Sequence, residues 1–311
     1  MRLLVGLLAA LLCTSDALGA TAALPPMPLP RAGDRVLVVA PHPDDESLCC
    51  AGYLQRAAAA GAAIGVVWVT AGDGFELDAV VVEHTLRPKG PRLRQLGERR
   101  MQEARAAGRI LGLSEANEFF LGYPDRGVMP LLTTYYDTPY RSAYTGLTAS
   151  AYPGVVSPNH SYTGADLEHD LATVLERFRP TIVLAAAPED RHPDHAASGA
   201  LTRRLTAAGP ATLYYWQVHA RHWPEPKAYL PNTPLAPPSA AAGRPWYSLS
   251  LSPAERALKL AALGQHRSQM ELTRPFMLAF DRANEIFWPA GASPAGARGA
   301  TPPSPAVPAG R

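Results

Sequence analysis

Short runs of consecutive aliphatic, β-branched and aromatic residues recur along the chain, separated by longer segments of mixed character. Because the apolar residues are continuous and do not alternate with polar ones, the runs predict strands of a sheet that is covered on both faces. The predicted strands are Arg35–Ala40, Ile64–Thr70, Glu118–Leu121, Thr181–Ala186 and Thr212–Val218.

The segments between these runs predict helices. One follows the first strand as far as about Ala60, and others cover Leu93–Leu111, Gly164–Arg179 and Ala196–Ala208. A further helix begins at Ser252-Pro-Ala-Glu255, which fits a capping box with proline at the first helical position, and carries Lys259 and His266. The alternation of strand and helix predicts an α/β fold, with a mostly parallel sheet and helices on both faces.

Three segments interrupt this alternation and predict long loops. They are Phe75–Arg92, Pro130–Tyr162 with six tyrosines, and the proline-rich stretch Trp223–Pro245. Long structureless connections in compact domains are usually lids or binding loops. The tyrosine-rich segment fits two interpretations equally: a binding loop for carbohydrate, or a packed surface excursion.

The two ends of the chain differ in character from the middle. Arg2, the apolar run Leu3–Cys13 and the small residues Ala17–Ala22 predict a signal peptide over residues 1–22, with an uncleaved anchor as the alternative. We therefore expect an exported protein, periplasmic or extracellular, without a stable membrane anchor. Residues 33–288 form the predicted domain, and the Pro/Ala/Gly-rich residues 289–311 predict a disordered tail.

Composition narrows the class of protein. The chain has 311 residues, 47% of them hydrophobic, which suffices for one large domain. Its net charge is only +2 and it has no block of basic residues, so nucleic acid is not an expected partner. Beyond Cys13, the cysteines are the adjacent Cys49 and Cys50, which cannot join distant segments. They are expected to be small buried residues, with soft metal ligands as the alternative.

Two histidine–aspartate clusters follow two of the predicted strands. His42-Pro-Asp-Asp-Glu46 comes directly after Arg35–Ala40, and His192-Pro-Asp-His195 comes shortly after Thr181–Ala186. In open α/β sheets the ligand crevice lies beyond the carboxyl ends of the strands, so both clusters are expected at one site. Either cluster alone also fits a polar loop or a helix cap. Their joint occurrence favours a metallohydrolase.

The residue types match a catalytic metal centre. A catalytic zinc ion usually has three protein ligands and one open position for water. His42 and Asp45, three residues apart in a turn, and His195 from the second cluster are the predicted ligands; other divalent metals are possible. Asp44 is then free to face the water and is the predicted general base.

The remaining polar residues of the clusters have predicted supporting roles. His192 is expected to donate to the developing oxyanion or to the leaving group. Glu46 and Asp194 are expected to orient the ligands or the imidazole.

These motifs resemble the LmbE-like, or PIG-L, family of zinc-dependent deacetylases that act on N-acetylglucosamine derivatives. The resemblance extends over roughly Val36–Trp288. The matching segments are Ala40–Glu46, Thr70–Gly74, Arg100–Glu103 with Leu111-Gly112, Phe120–Asp125, His192–His195, Lys259, His266–Gln269 and Asn284–Phe287.

The resemblance implies a Rossmann-like fold and the same roles for His42, Asp45, His195, Asp44 and His192. It also implies that Arg100 and Asp125 contact the sugar, although each also fits an ordinary alternative, a helix-surface arginine and a turn aspartate. His266 stands where related sequences often have tyrosine, which leaves its place in the active site open.

The expected activity is removal of the N-acetyl group from an N-acetylglucosamine-type sugar or glycoconjugate, which gives a free amine and acetate. Two alternatives remain at this point: a metal-dependent amidase that removes a larger acyl group from an amino sugar, and a non-catalytic glycan-binding protein on the same scaffold. The expected partner is an acetamido sugar. The sequence leaves the native substrate and the oligomeric state open.

Overall fold

A seven-stranded sheet forms the centre of the protein. The structure, a computed structural model, describes residues 23–74 and 90–291. Within these ranges the order across the sheet is β3-β2-β1-β4-β5-β7-β6. The strands are β1 (Arg35–Ala40), β2 (Ala63–Thr70), β3 (Glu118–Tyr123), β4 (Ile182–Ala186), β5 (Thr212–Trp216), β6 (Tyr247–Ser250) and β7 (Asn284–Pro289).

Helices occupy the connections between the strands. They are α1 (Asp45–Cys49), α2 (Ala51–Ala59), α3 (Pro91–Ile110), α4 (Val128–Thr133), α5 (Gly164–Phe178), α6 (Pro193–Thr206), α7 (Pro253–Leu263) and α8 (Arg267–Leu278), with 3₁₀ turns at Glu115–Asn117 and Ser239–Ala241. The predicted α/β fold is confirmed.

The five strands β1 to β5 are parallel, whereas β7 runs antiparallel to both β5 and β6. Strand β1 lies between β2 and β4, with Val36 paired to Ile64 on one side and to Ile182 on the other. The order of the strands reverses direction at the β1–β4 pair. Such a switch point opens a crevice at the carboxyl ends of its two strands. Both histidine–aspartate clusters follow these two strands.

Helix α6 lies unusually close to strand β4. A Cβ atom on Gly199 would overlap the carbonyl oxygen of Ala186, so only glycine allows the helix to come this close to the strand. We expect Gly199→Ala to lower the free energy of unfolding by about 1–3 kcal/mol, because the added methyl group must move the helix or the strand. Urea denaturation measures this, with Gly243→Ala as the control because a Cβ there meets no atom within 4 Å. Equal effects of the two changes would contradict the packing argument.

The helix predicted after the first cluster is broken into two. Helix α1 ends at Cys49 and α2 begins at Ala51, with Cys50 in a non-helical conformation of φ −134° and ψ 6° at the junction. Cys49 and Cys50 are buried, as predicted, but they are joined by a disulfide bond. This bond was not predicted from the sequence. The bond links neighbours, so it crosslinks no distant segments.

Several predicted boundaries also differ. Helix α3 begins at Pro91, which places the proline at its first position, and not at Leu93. Helix α7 has the predicted capping box, but it ends at Leu263, so His266 lies outside it. Pro289 belongs to β7 and not to the tail. No helix of the described ranges is long and apolar enough to cross a membrane.

The tyrosine-rich segment is mostly packed against the domain. It begins within α4 and continues irregularly to α5. Tyr152 and Tyr162 are buried in the core, and the Tyr135 ring packs edge-on against Tyr140. Neither buried tyrosine lines the cavity described below. This favours the packed excursion over a carbohydrate-binding loop. The predicted signal peptide, most of the predicted loop Phe75–Arg92 and residues 292–311 of the tail lie outside the described residues.

Candidate active site

A cavity of about 330 Å³ opens at the carboxyl ends of β1 and β4. Its walls carry polar residues of both clusters, Arg100 from α3, Asp125 from the turn after β3, and side chains of α8. The volume lies within the range of small-molecule sites.

Three predicted ligand atoms converge beside this cavity. The Nδ1 atom of His42 lies 3.2 Å from the Nε2 atom of His195. The Oδ2 atom of Asp45 lies 3.5 Å from the former and 3.3 Å from the latter. A tetrahedral zinc ion with ligand distances of about 2.0–2.2 Å needs its ligands roughly 3.3–3.6 Å apart. The three atoms therefore fit a zinc-sized cation.

Each of the two histidines has carboxylates behind it. The outer nitrogen of His42, Nε2, lies 3.2 Å from Asp125 Oδ1 and 3.3 Å from Asp194 Oδ2. The outer nitrogen of His195, Nδ1, lies 3.6 Å from Asp190 Oδ2. Carboxylates in this position fix the tautomer and the ring orientation of metal-binding histidines.

These carboxylates favour positive charge at the site. Burial opposes the charged imidazole, but the neighbouring aspartates outweigh it and raise the pKa of His42 well above its usual range and that of His195 to about 9. Burial also opposes ionisation of Asp45, yet the two histidines hold its pKa well below the usual range. The same preference for positive charge would stabilise a bound cation.

Asp44 is a further acidic residue of the site and lines the cavity. Its backbone has φ 135°, a conformation that is strained for a residue with a side chain, and such strain is concentrated at functional sites. Its Oδ2 atom accepts a hydrogen bond of 3.1 Å from Arg100 Nη2. Burial raises the pKa of Asp44 to about 6, against the opposing effect of Arg100. A carboxylate that accepts protons near neutral pH suits a general base.

Glu46 fixes the turn that presents Asp44. Its carboxylate accepts hydrogen bonds from the Asp44 backbone N–H at 3.2 Å and from Trp68 Nε1 at 2.8 Å. His266 Nε2 lies 2.9 Å from Glu46 Oε1. Burial opposes the charged imidazole, but the Glu46 carboxylate raises the pKa of His266 above its usual value. His266 is buried and does not line the cavity, so its place is behind the active site and not in it.

His192 is the N-cap residue of α6 and lines the cavity. Its Nδ1 atom accepts the backbone N–H of Asp194 at 3.2 Å, which leaves the proton of the neutral ring on Nε2. Burial and the nearby imidazoles lower the pKa of His192 to about 2, so the ring is a neutral donor. The Asp194 carboxylate contacts His42 and the backbone amides of Arg126 and Val128, and thus orients a predicted ligand.

Arg100 and Asp125 both line the cavity, but their polar atoms are largely engaged within the protein. Arg100 donates to the carbonyl oxygens of Gly72 and Pro43, each at 2.8 Å, besides Asp44. The alternative of a helix-surface arginine is wrong, because Arg100 is buried. Asp125 contacts His42 through one oxygen and accepts the Gly74 N–H through the other. Arg100 therefore supports the predicted base Asp44, and Asp125 supports the predicted ligand His42.

Comparison with protein families gives a match over this region. The model of PIG-L, described as GlcNAc-PI de-N-acetylase, matches residues 37–206, which include both clusters. The chain belongs to the PIG-L family. It is accordingly an amide hydrolase of the N-deacetylase type, as the resemblance implied.

Two relatives are deacetylases of 1D-myo-inositol 2-acetamido-2-deoxy-alpha-D-glucopyranoside. The one from Saccharopolyspora erythraea is 29% identical over 244 residues, which cover 75% of this chain and 73% of the relative. The one from Streptomyces avermitilis is 28% identical over 284 residues, 81% and 89% of the two chains. A solved structure, N,N'-diacetylchitobiose deacetylase from Pyrococcus horikoshii, shares the fold with a TM-score of 0.52 and 19% identity over 82% of each chain.

The PIG-L site contains residues for which the sequence predicted no role. Asp190, His219 and Asp73 are buried or line the cavity, and α8 contributes Gln269 and Phe276. His219 follows β5, the neighbour of β4, so its position after a strand end was a usable signal. Asp190 lies two residues before His192, within reach of the second cluster. Helix α8 lies beyond the matched residues 37–206. The motif His266–Gln269 includes its first turn, but the motif did not indicate that the rest of the helix would cover the site.

Asp190 gives a test of how this PIG-L enzyme holds its predicted metal. Its carboxylate accepts the backbone amides of His192, Val218 and His219 and faces His195 Nδ1. We expect Asp190→Asn to weaken zinc binding by about 10- to 100-fold, because the charge behind His195 is lost. Competition with a chelating dye measures the affinity. Asp170→Asn is the control, since Asp170 is also buried but accepts a hydrogen bond from the Tyr123 hydroxyl. An equal loss of zinc affinity in both variants would contradict the role of Asp190.

Proposed function

We propose that the chain is a zinc-dependent hydrolase that removes the N-acetyl group from an N-acetylglucosamine-type sugar or glycoconjugate. The observation that carries the proposal is the triangle of His42 Nδ1, Asp45 Oδ2 and His195 Nε2, with sides of 3.2–3.5 Å, beside a cavity that also contains Asp44. The names of the relatives support an acetamido sugar as the substrate class.

The proposed metal would be held by His42, Asp45 and His195. A zinc ion in this position would supply Lewis-acid polarisation of the amide carbonyl and a lowered pKa for the attacking water. Asp44 accepts the proton of that water, while Arg100 holds the carboxylate in place through its 3.1 Å contact.

The neutral His192 completes the proposed chemistry. Its Nε2 proton is available for the oxyanion that develops when water adds to the carbonyl carbon. The carbon–nitrogen bond then breaks, and the proton returned by Asp44 or His192 allows the amine to leave. The products are acetate and the free amino sugar.

Acetate release tests the reaction. Purified residues 23–311 are supplied with zinc and incubated with N-acetylglucosamine mono- and oligosaccharides. We expect acetate and free amine in equal amounts, and loss of both after removal of zinc with a chelator. Release of a longer carboxylic acid from N-acyl sugars in place of acetate would indicate the larger-acyl amidase. Glycan binding with bound metal but no product would indicate a non-catalytic binding protein.

We also propose that the enzyme is exported, periplasmic or extracellular. The support is the apolar run Leu3–Cys13 and the small residues that follow it. N-terminal sequencing of the protein from cell fractions tests this. The expected result is a mature chain that begins after residue 22 outside the cytoplasm; an intact chain in the cytoplasm would overturn it.

A further inference from the structure

A second cavity, of about 310 Å³, adjoins the catalytic one. It is lined by Arg126, Arg191, His192, Pro193 and His219, and it shares Arg126, His192 and His219 with the catalytic cavity. The catalytic cavity contains three aspartates, whereas no acidic residue of the described ranges lines the second cavity. Among the described residues, the charged side chains that border the space beyond His192 are therefore the two arginines.

Arg126 is held in place by its backbone and not by its side chain. Its φ is 60°, in the left-handed region that residues with side chains rarely adopt. The backbone N–H donates to Asp194 Oδ2, which contacts His42. The exposed guanidinium makes no ion pair or side-chain hydrogen bond with any residue in the described ranges. A strained turn thus places over the rim of the site a charge that no described residue compensates.

Arg191 is the second exposed arginine of this cavity. It directly precedes His192 in the sequence, whereas the metal-ligand candidate His195 follows His192. Its backbone N–H donates to the His219 carbonyl at 2.9 Å. Its side chain also has no ion pair or hydrogen bond with the described part of the chain.

The acidic residues next to Arg191 are engaged elsewhere. Glu189 pairs with Arg244 at 2.6 Å. Asp190 is buried, and its two oxygens accept backbone amides. Neither carboxylate therefore neutralises Arg191. Arg100 on the inner wall differs in this respect, because it is buried and paired with Asp44.

We propose that Arg126 and Arg191 form a binding subsite for an oxyanion, a carboxylate or phosphate, carried by the acetamido-sugar substrate. Guanidinium groups match the geometry of such oxyanions and can bind them through two parallel hydrogen bonds. The subsite selects anionic over neutral glycosides at the same catalytic centre. This inference rests on the proposed deacetylation.

Matched pairs of substrates test the subsite. N-acetylglucosamine 1-phosphate is compared with methyl N-acetylglucosaminide, and N-acetylmuramic acid with N-acetylglucosamine. In the wild type we expect the anionic member of at least one pair to have the higher kcat/KM, and the preference to fall with added salt. Arg126→Asn, which tolerates a positive φ, and Arg191→Gln should each reduce kcat/KM for that anion by 10-fold or more and change the neutral partner by less than 2-fold.

Arg179→Asn is the matched control. Arg179 also has a positive φ, of 50°, and is exposed, but it lies before β4, at the opposite edge of the sheet. This variant should keep the wild-type preference. The proposal is overturned if the wild type does not prefer an anion, or if the Arg126 and Arg191 variants lose neutral and anionic substrates equally. A phosphate preference that survives both substitutions would also overturn it, because the phosphate would then bind elsewhere, as at the metal.

A binding measurement separates this inference from the proposed reaction. Calorimetry with zinc-loaded Asp44→Asn protein compares the anionic and neutral members of each pair without turnover. Tighter binding of the anion that is lost in the Arg126→Asn background supports the subsite even if no acetate is ever released. Equal binding of both members overturns the subsite even if the enzyme deacetylates both.

Discussion

Asp44→Asn is expected to lower kcat for deacetylation by about 10²- to 10⁴-fold while the protein still binds zinc. The substitution keeps the size of the side chain and the contact with Arg100 through its amide oxygen, but it removes the group that accepts a proton. Asp44 is not one of the three converging ligand atoms, so metal content should be unchanged. Acetate release and metal analysis on the same sample measure both effects.

Asp45→Asn is the companion variant. Asp45 contributes an oxygen to the ligand triangle, so this change is expected to reduce both zinc content and turnover. If Asp44→Asn retained most of the wild-type kcat, the base would have to be another group. If instead it lost zinc as Asp45→Asn should, Asp44 would belong to the ligands.

Lys259→Met is expected to lower the free energy of unfolding by about 3–5 kcal/mol, since it leaves a buried charge without its partner. Lys259 Nζ donates to Glu285 Oε1 and to the Leu48 carbonyl, each at 2.8 Å. Glu285 in turn accepts the backbone amides of Gly52 and Tyr53 at the start of α2. The buried pair thus forms hydrogen bonds with backbone groups on both sides of the break between α1 and α2. Urea denaturation measures the loss.

Two further variants test whether the loss of stability comes from the unpaired buried charge. Lys227→Met removes an exposed lysine and should change the free energy of unfolding by less than about 0.5 kcal/mol. The double variant Lys259→Met with Glu285→Gln should recover part of the loss, because no unpaired charge remains. If Lys259→Met were as mild as Lys227→Met, the pair would not support the break between the helices.

The sequence predicted the convergence of the three side chains because position along a strand determines position in space. His42, Asp45 and His195 follow two strands, and the carboxyl ends of neighbouring parallel strands meet at one edge of the sheet. Their convergence needed only the correct strands and the correct order. The same reasoning would have indicated His219 after β5.

The supporting contacts could not be predicted in this way. Arg100 reaches Asp44 from a helix whose rotation about its axis is decided by packing and not by its own sequence. His266 meets Glu46 across 220 positions of the chain. The disulfide between Cys49 and Cys50 occupies the helix break that the Lys259–Glu285 pair stabilises, and a local pattern contains no sign of that distant pair.

The central place of β1 has a consequence for how the protein matures. His42 and His195 meet across 153 positions of the chain, so the two halves of the predicted metal centre are synthesised at different times. A growing polypeptide that has reached β3 can already pair β1 with β2, but it lacks β4 and the third ligand. High-affinity metal capture should therefore follow the pairing of β4 with β1 and not guide it. Uptake of the metal would then report that the two strands carrying the site have paired.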